Sequence, residues 1–187
     1  MNIAVPAVPP STALTRLRAA TGDLHQAIEE QLDIIQRLAD PATRSEMIGR
    51  FAALYGPAAA VLDAWLADVP GLGACRAAPL VADLVRTQTL PPFPFSASRA
   101  EALGMRYVLE GSMLGGRLIL RRLAERGIAD RRLSFLDPYG AETGLRWRSF
   151  LGVLARELND DDLIAQACRG AIRAFRHAEE VLGGSAA

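Results

Sequence analysis

Apolar residues recur at steps of three and four through most of the chain, and no stretch of any length alternates apolar with polar. A repeat near 3.6 residues builds a helical face and a repeat of two builds a strand, so the pattern points to packed helices without a sheet. From Ser11 to Ala39, the residues Leu14, Leu17, Thr21, Leu24, Ile28, Leu32 and Ile35 share one face of a continuous helix, which Asp40-Pro41 ends. Thr43 with Glu46 forms a capping box that opens a second helix, kinked at Gly56-Pro57 and running to about Asp68. A short helix is expected over 79–87, and Pro91-Pro92-Phe93-Pro94 forces an extended surface loop. Ser98 and Glu101 form another capping box, opening a helix that continues to about Arg126 and stops at Gly127. Asp137-Pro138-Tyr139-Gly140 reads as a turn, followed by helices over Glu142 to Glu157 and Asp160 to Leu182, the last closed by Gly183-Gly184.

With 187 residues, half of them hydrophobic, the chain can bury one core. No internal repeat or low-complexity tract is present. The expectation is all-α: a flexible segment over residues 1–10 and a single helical domain over 11–184, built from about six or more helices. All 21 basic residues are arginine, which excludes Schiff-base chemistry and a phosphate-loop lysine. A formal net charge of zero gives no global attraction to nucleic acid or anionic lipid, so neither is expected as a partner. Cys75 and Cys168 lie far apart and outside any CxxC pattern, which excludes a zinc ribbon and covalent c-type haem attachment and fits a reducing cytoplasm. No run reaches the roughly 18 apolar residues of a membrane span, and the proline-interrupted start lacks the basic region of a signal peptide.

His25 falls at the edge of the first helix's apolar stripe, beside Thr21, Ile28 and Leu32, where its imidazole is expected to face the interior. Glu29 follows one turn later on the same flank, within reach of Nδ1–H, which would leave Nε2 free and more basic as a metal ligand. Arg18, two turns earlier, points the same way. The alternative is a partly buried histidine satisfied by a neighbouring carboxylate, and spacing alone does not decide between them.

A second oddity is the stretch Glu110-Gly111-Ser112-Met113-Leu114-Gly115-Gly116-Arg117, inside a helix where each glycine costs about 1 kcal/mol relative to alanine. Gly111 and Gly115 stack on one face and bare the backbone to close approach. Close helix packing through small residues is one explanation, and a planar ligand is the other.

Taken together the two features suggest a sandwich, in which a porphyrin lies between an iron-ligating imidazole and a glycine-floored helix. With one protein ligand the sixth iron position stays open. His177, the second histidine, sits in FRHAEE and reads as part of a solvated helix face. Propionates need cations, which here must be arginines: Arg18 first, with Arg106, Arg117, Arg146 and Arg148 as alternatives. Tyr107, one turn before Gly111, either lines the same cavity or packs in the core.

These residues resemble bacterial biliverdin-producing haem oxygenases, particularly those found beside bacteriophytochromes. LRAATGDLHQAIE is similar to the family's proximal-helix pattern, YVLEGSMLGGRLILRRL to its distal-helix signature, and WRSFLGVLARELN followed by ACRGAIRAF to its C-terminal region. The likeness spans most of the chain and is weakest over 69–97. It implies a haem-oxygenase-like helical bundle with His25 as the iron ligand, Glu29 as its hydrogen-bond partner and Arg18 at a propionate. Thr21 and Tyr107 then border the haem. Gly111, Ser112 and Gly115 lie over it as catalytic residues, with Gly116 and Arg148 as further haem contacts. Two departures stand out: Ser112 occupies a position where many members carry aspartate, and Met113 one where some carry a haem-seating lysine.

The resemblance implies that haem is both cofactor and substrate, cleaved by O2 to biliverdin, carbon monoxide and ferrous iron. Electrons come from an external ferredoxin or reductase, since the chain has no flavin or nicotinamide fingerprint. A bacteriophytochrome is an implied recipient of the biliverdin. Arg131-Arg132 and the arginines near the distal helix offer either a docking surface for an acidic ferredoxin or an ordinary solvated surface. A non-catalytic haem-binding or haem-delivery protein is the rival reading, and a haem-free relative of thiaminase-like or quinone-cofactor-synthesis type is a third.

Overall fold

The computed structural model describes residues 11–74, 92–93 and 98–184, and every regular element among them is helical. The α-helices are α1 (Thr12–Leu32), α2 (Ile34–Ala39), α3 (Pro41–Leu66), α4 (Arg99–Glu125), α5 (Thr143–Glu157) and α6 (Asp161–Gly183). Two 3-10 segments, Arg131–Leu136 and Gly140–Glu142, join α4 to α5. The helix expected over 79–87 and most of the proline cluster lie outside the described residues, as do residues 1–10; Pro92 and Phe93 have no regular secondary structure.

Side-chain caps set most boundaries. Ser98 accepts from the Glu101 backbone N–H at 3.2 Å to open α4, and Asp160 accepts from Leu163 at 2.8 Å to open α6. Gly127 and Gly184, with φ of 74° and 88°, adopt the left-handed conformation after α4 and α6.

The first helical stretch is interrupted where the sequence pattern is continuous. Asp33 turns left-handed at φ 36°, ending α1, and its carboxylate accepts from the Gln36 backbone N–H at 3.4 Å to start α2. The apolar spacing carries no sign of this break: Leu32 before it is buried and Ile35 after it is half-buried. Asp40-Pro41 begins α3 instead of merely ending its predecessor: Asp40 accepts from Ala42 N–H at 2.9 Å and Pro41 occupies the first turn, where its missing N–H costs nothing. The expected Thr43–Glu46 capping box therefore does not form. Thr43 lies inside α3 and donates to the Arg37 carbonyl at 2.8 Å, while Glu46 pairs with Arg50 and approaches Arg37. α3 runs through Pro57 to Leu66.

α4 is the central helix, with almost every residue from Ala100 to Glu110 buried. It crosses α6 backbone to backbone: a Cβ on Gly104 would lie 1.8 Å from the Ala167 carbonyl oxygen, and one on Gly170 2.1 Å from that of Glu101. Close packing of this kind accounts for one of the four glycines inside α4.

Two buried polar groups depart from the sequence expectation. Arg106, 1% exposed, pairs with Glu110 at 2.6 Å. His177, expected on a solvated face, is 8% exposed, because Phe93 covers it edge-on with ring centroids 5.4 Å apart. Among the described residues its Nε2 meets no hydrogen-bond partner, and burial lowers its pKa. No helix among the described residues is long and apolar enough to cross a membrane.

Candidate functional site

α1 presents an exposed imidazole. Leu17 and Thr21 turn into the core at 0% and 3% exposure, but the His25 side chain is 61% exposed, which corrects the expectation that it faces the interior. Leu24 and Ile28 carry the packing at this level. The ring instead rests against Phe175 of α6, with centroids 5.9 Å apart in an edge contact. Glu29 Oε2 stands 3.6 Å from Nδ1, slightly beyond hydrogen-bond length. Thr21 donates its hydroxyl to the Leu17 carbonyl at 2.8 Å, so its hydrogen is already committed within the helix.

The middle of α4 supplies a second exposed surface. Leu114 and Leu118 are 37% and 46% exposed, on a helix whose other face is core. A Cβ built on Gly115 would meet nothing within 4 Å, and one on Gly111 would touch only Trp147, at 3.8 Å. Gly116 differs: a Cβ there would lie 2.0 Å from the Leu136 carbonyl oxygen, so its missing side chain admits the 3-10 segment and its face is turned from the bare stretch. The two sequence explanations for the glycines therefore divide between residues, with Gly104 and Gly116 packing against backbone and Gly111 and Gly115 leaving surface open.

Ser112, also exposed, donates to the Leu109 carbonyl at 2.7 Å and shares a 2.6 Å hydrogen bond with Tyr55 of α3. Tyr107 brings α4 to α1. Burial raises its phenol pKa, while hydrogen bonding to Thr21 and the Arg18 charge pull the other way. Its ring also neighbours Trp147 at 5.9 Å between centroids. Tyr107 lies one turn before Gly111, and Thr21 and Arg18 lie one and two turns before His25.

The arginines differ in how far they are committed to partners. Arg106 is held by Glu110, and Arg146 donates to the Leu72, Gly73 and Ala74 carbonyls at 3.0, 3.3 and 2.8 Å while stacking over Tyr139 at 4.5 Å. Arg117 pairs with Asp137 at 3.3 Å. Arg132 is bound to Asp130 at 2.7 Å. Arg18 and Arg148 stay exposed.

Tyr55, Trp147 and Glu110 are site neighbours that sequence reasoning missed. Tyr55 reaches Ser112 across 57 residues, a contact with no local spacing signal. Trp147 could have been suspected as a large aromatic between two arginines, but only the fold sets it against Gly111.

No family model matches the chain. Over 99 residues it is 38% identical to a curated protein named Heme oxygenase from Xanthomonas campestris pv. campestris (strain 8004), a match covering 50% of this chain and 56% of that relative. The chain thus spans about half the length of the curated relative it matches, and the likeness supports the heme oxygenase family.

Proposed function

We propose that this protein is a heme oxygenase that cleaves haem with O2 and external electrons to biliverdin, carbon monoxide and ferrous iron. The observation that carries the reading is the bare surface of α4 at Gly111 and Gly115, which follow along the helix a tyrosine, Tyr107, that interacts with Thr21 and Arg18 of the helix bearing the exposed His25. The residues fit a flat apolar macrocycle with anionic edges. Leu114 and Leu118 offer uncovered apolar surface, the Gly115 backbone admits contact that any side chain would block, and His25 offers a nitrogen beside a carboxylate.

Haem, when bound, supplies the iron at which oxygen is reduced and is itself the molecule cleaved. The chain's own part is binding, orientation and proton handling. His25 would hold the iron through Nε2, with Glu29, 3.6 Å from Nδ1, placed to orient the ring. Gly111 and Gly115 leave the α4 backbone bare, so the macrocycle would be able to approach it closely. Ser112 holds water beside that backbone without a carboxylate. Arg18 and Arg148, which are exposed and form no ion pair among the described residues, would hold the propionates; Arg106, Arg117 and Arg146 are paired with carboxylates. Gly116 serves the site indirectly, by letting Leu136 support α4 from behind. Electrons come from a ferredoxin or reductase, and a bacteriophytochrome is the recipient we propose for the biliverdin.

Aerobic incubation of the hemin complex with a reductant tests the reading. Decay of the Soret band into broad red absorbance is expected. A Soret band that persists unchanged would favour a non-catalytic haem-binding protein, and failure to take up hemin would contradict both.

A further inference from the structure

The His25 side chain stands 61% exposed on α1, and the last torsion of a histidine is broad, so its place on the helix does not fix the plane of its ring. Glu29 restrains that plane only weakly: its own side chain is 70% exposed, and its carboxylate lies 3.6 Å from Nδ1, beyond hydrogen-bond length. Phe175 of α6 differs in kind. It is 8% exposed, and the two rings meet at 70° with centroids 5.9 Å apart, the near-perpendicular contact that aromatic pairs prefer.

Phe175 cannot yield easily, because α6 is tied down on both sides of it. Toward the start of the helix, Gly170 packs against the α4 backbone, where a Cβ would lie 2.1 Å from the Glu101 carbonyl oxygen. Toward its end, Arg37 and Arg50 donate to the Leu182 carbonyl at 3.1 and 3.3 Å. An exposed ring on α1 therefore meets a buried ring on an anchored helix, and the freer ring takes the plane that the fixed one allows.

We infer that Phe175 is a positioning residue for His25: its buried ring sets the plane in which the imidazole presents Nε2, and Glu29 is the lesser restraint. The inference rests on the haem-cleaving reading above, in which Nε2 is the iron ligand. The plane of an axial imidazole decides along which line of the macrocycle its π orbital meets the iron, so a residue that turns the ligand tunes the metal without touching it. A ring already held also has less rotation to lose when haem binds.

Two measurements test it, one without haem. In the unliganded protein, nuclear Overhauser contacts are expected between the ring protons of His25 and Phe175, and with two histidines in the chain His25→Ala identifies the imidazole signals by their loss. At one fixed alkaline pH, Phe175→Leu should shift the His25 ring resonances by removing the phenyl ring current, and Glu29→Gln should shift them less. The contact needs no variant to be seen. Its absence, or resonances that answer to Glu29→Gln as much as to Phe175→Leu, would overturn the inference whatever the protein binds.

The second measurement records the haem methyl resonances of the ferric hemin complex with added cyanide, whose spread and order report the plane of the axial imidazole. Phe175→Leu should change that order, whereas Phe175→Tyr, which keeps the ring, should preserve it. An order unchanged by Phe175→Leu, or changed as much by Phe175→Tyr, would overturn the positioning role. Failure of the unaltered protein to take up hemin would sink the functional reading instead, leaving the ring contact in the unliganded protein to judge Phe175.

Discussion

Gly116 and Leu136 touch so closely that a Cβ on the glycine would lie 2.0 Å from the leucine carbonyl oxygen, whereas a Cβ on its neighbour Gly115 would meet nothing within 4 Å. The two should respond oppositely to alanine. Gly116→Ala must push the 3-10 segment away and should cost at least about 1–3 kcal/mol, the usual range for overpacking. Gly115→Ala should be neutral or stabilise by up to about 1 kcal/mol through helix propensity, while weakening hemin binding. Urea unfolding with a parallel hemin titration checks both. Equal stability loss in the two variants would contradict the division of the glycines.

The buried pair of Arg106 and Glu110 makes a second expectation. Glu110 is 3% exposed on its side chain, lies 2.6 Å from Arg106, and has Arg146 at 3.6 Å. Glu110→Ala takes the nearest carboxylate from the buried Arg106, which keeps Asp63 at 3.9 Å and the Gly73 carbonyl at 3.2 Å, and should destabilise by about 1–3 kcal/mol. The same change releases one anchor of Arg146, next to Trp147 and hence to Gly111. A loss under 1 kcal/mol in chemical denaturation would mean that water replaces the carboxylate with little penalty.

His177 predicts a pH dependence with a definite sign. Burial depresses its folded pKa below the ordinary value of 6.5, so the unfolded chain binds the proton more readily. Stability from this group is complete above the unfolded value and is lost as pH falls through 6.5 toward the lower folded value. His177→Phe should flatten that slope in urea midpoints measured across mildly acidic pH. An unaltered slope would assign it to other groups.

Caps and stops were legible in the sequence because they act over three or four residues: Ser98 with Glu101, Gly127 after α4, and Asp160 before α6 all stand where local rules put them. Asp33 was not, because the apolar spacing carries no sign of the break there. Asp40-Pro41 carries a stop and a start in the same two residues, and only the start uses their side chains. The burial of His177 depends on Phe93, distant in sequence, and the exposure of His25 depends on how α1 meets α6. The glycines of α4 were conspicuous, but which of them pack and which lie bare is decided by Ala167, Leu136 and Trp147, partners far along the chain. The Tyr55 bond to Ser112 is of the same tertiary kind.

The central claim is that His25 is the nitrogen that holds haem iron during ring cleavage. The most direct measurement compares the unaltered protein with His25→Ala, each loaded with hemin, supplied with a reductant in air, and analysed chromatographically for biliverdin. The account predicts biliverdin from the first and none from the second, with the far-ultraviolet circular dichroism of the two alike, since the imidazole is exposed and its removal opens no cavity. Equal biliverdin from both would contradict it.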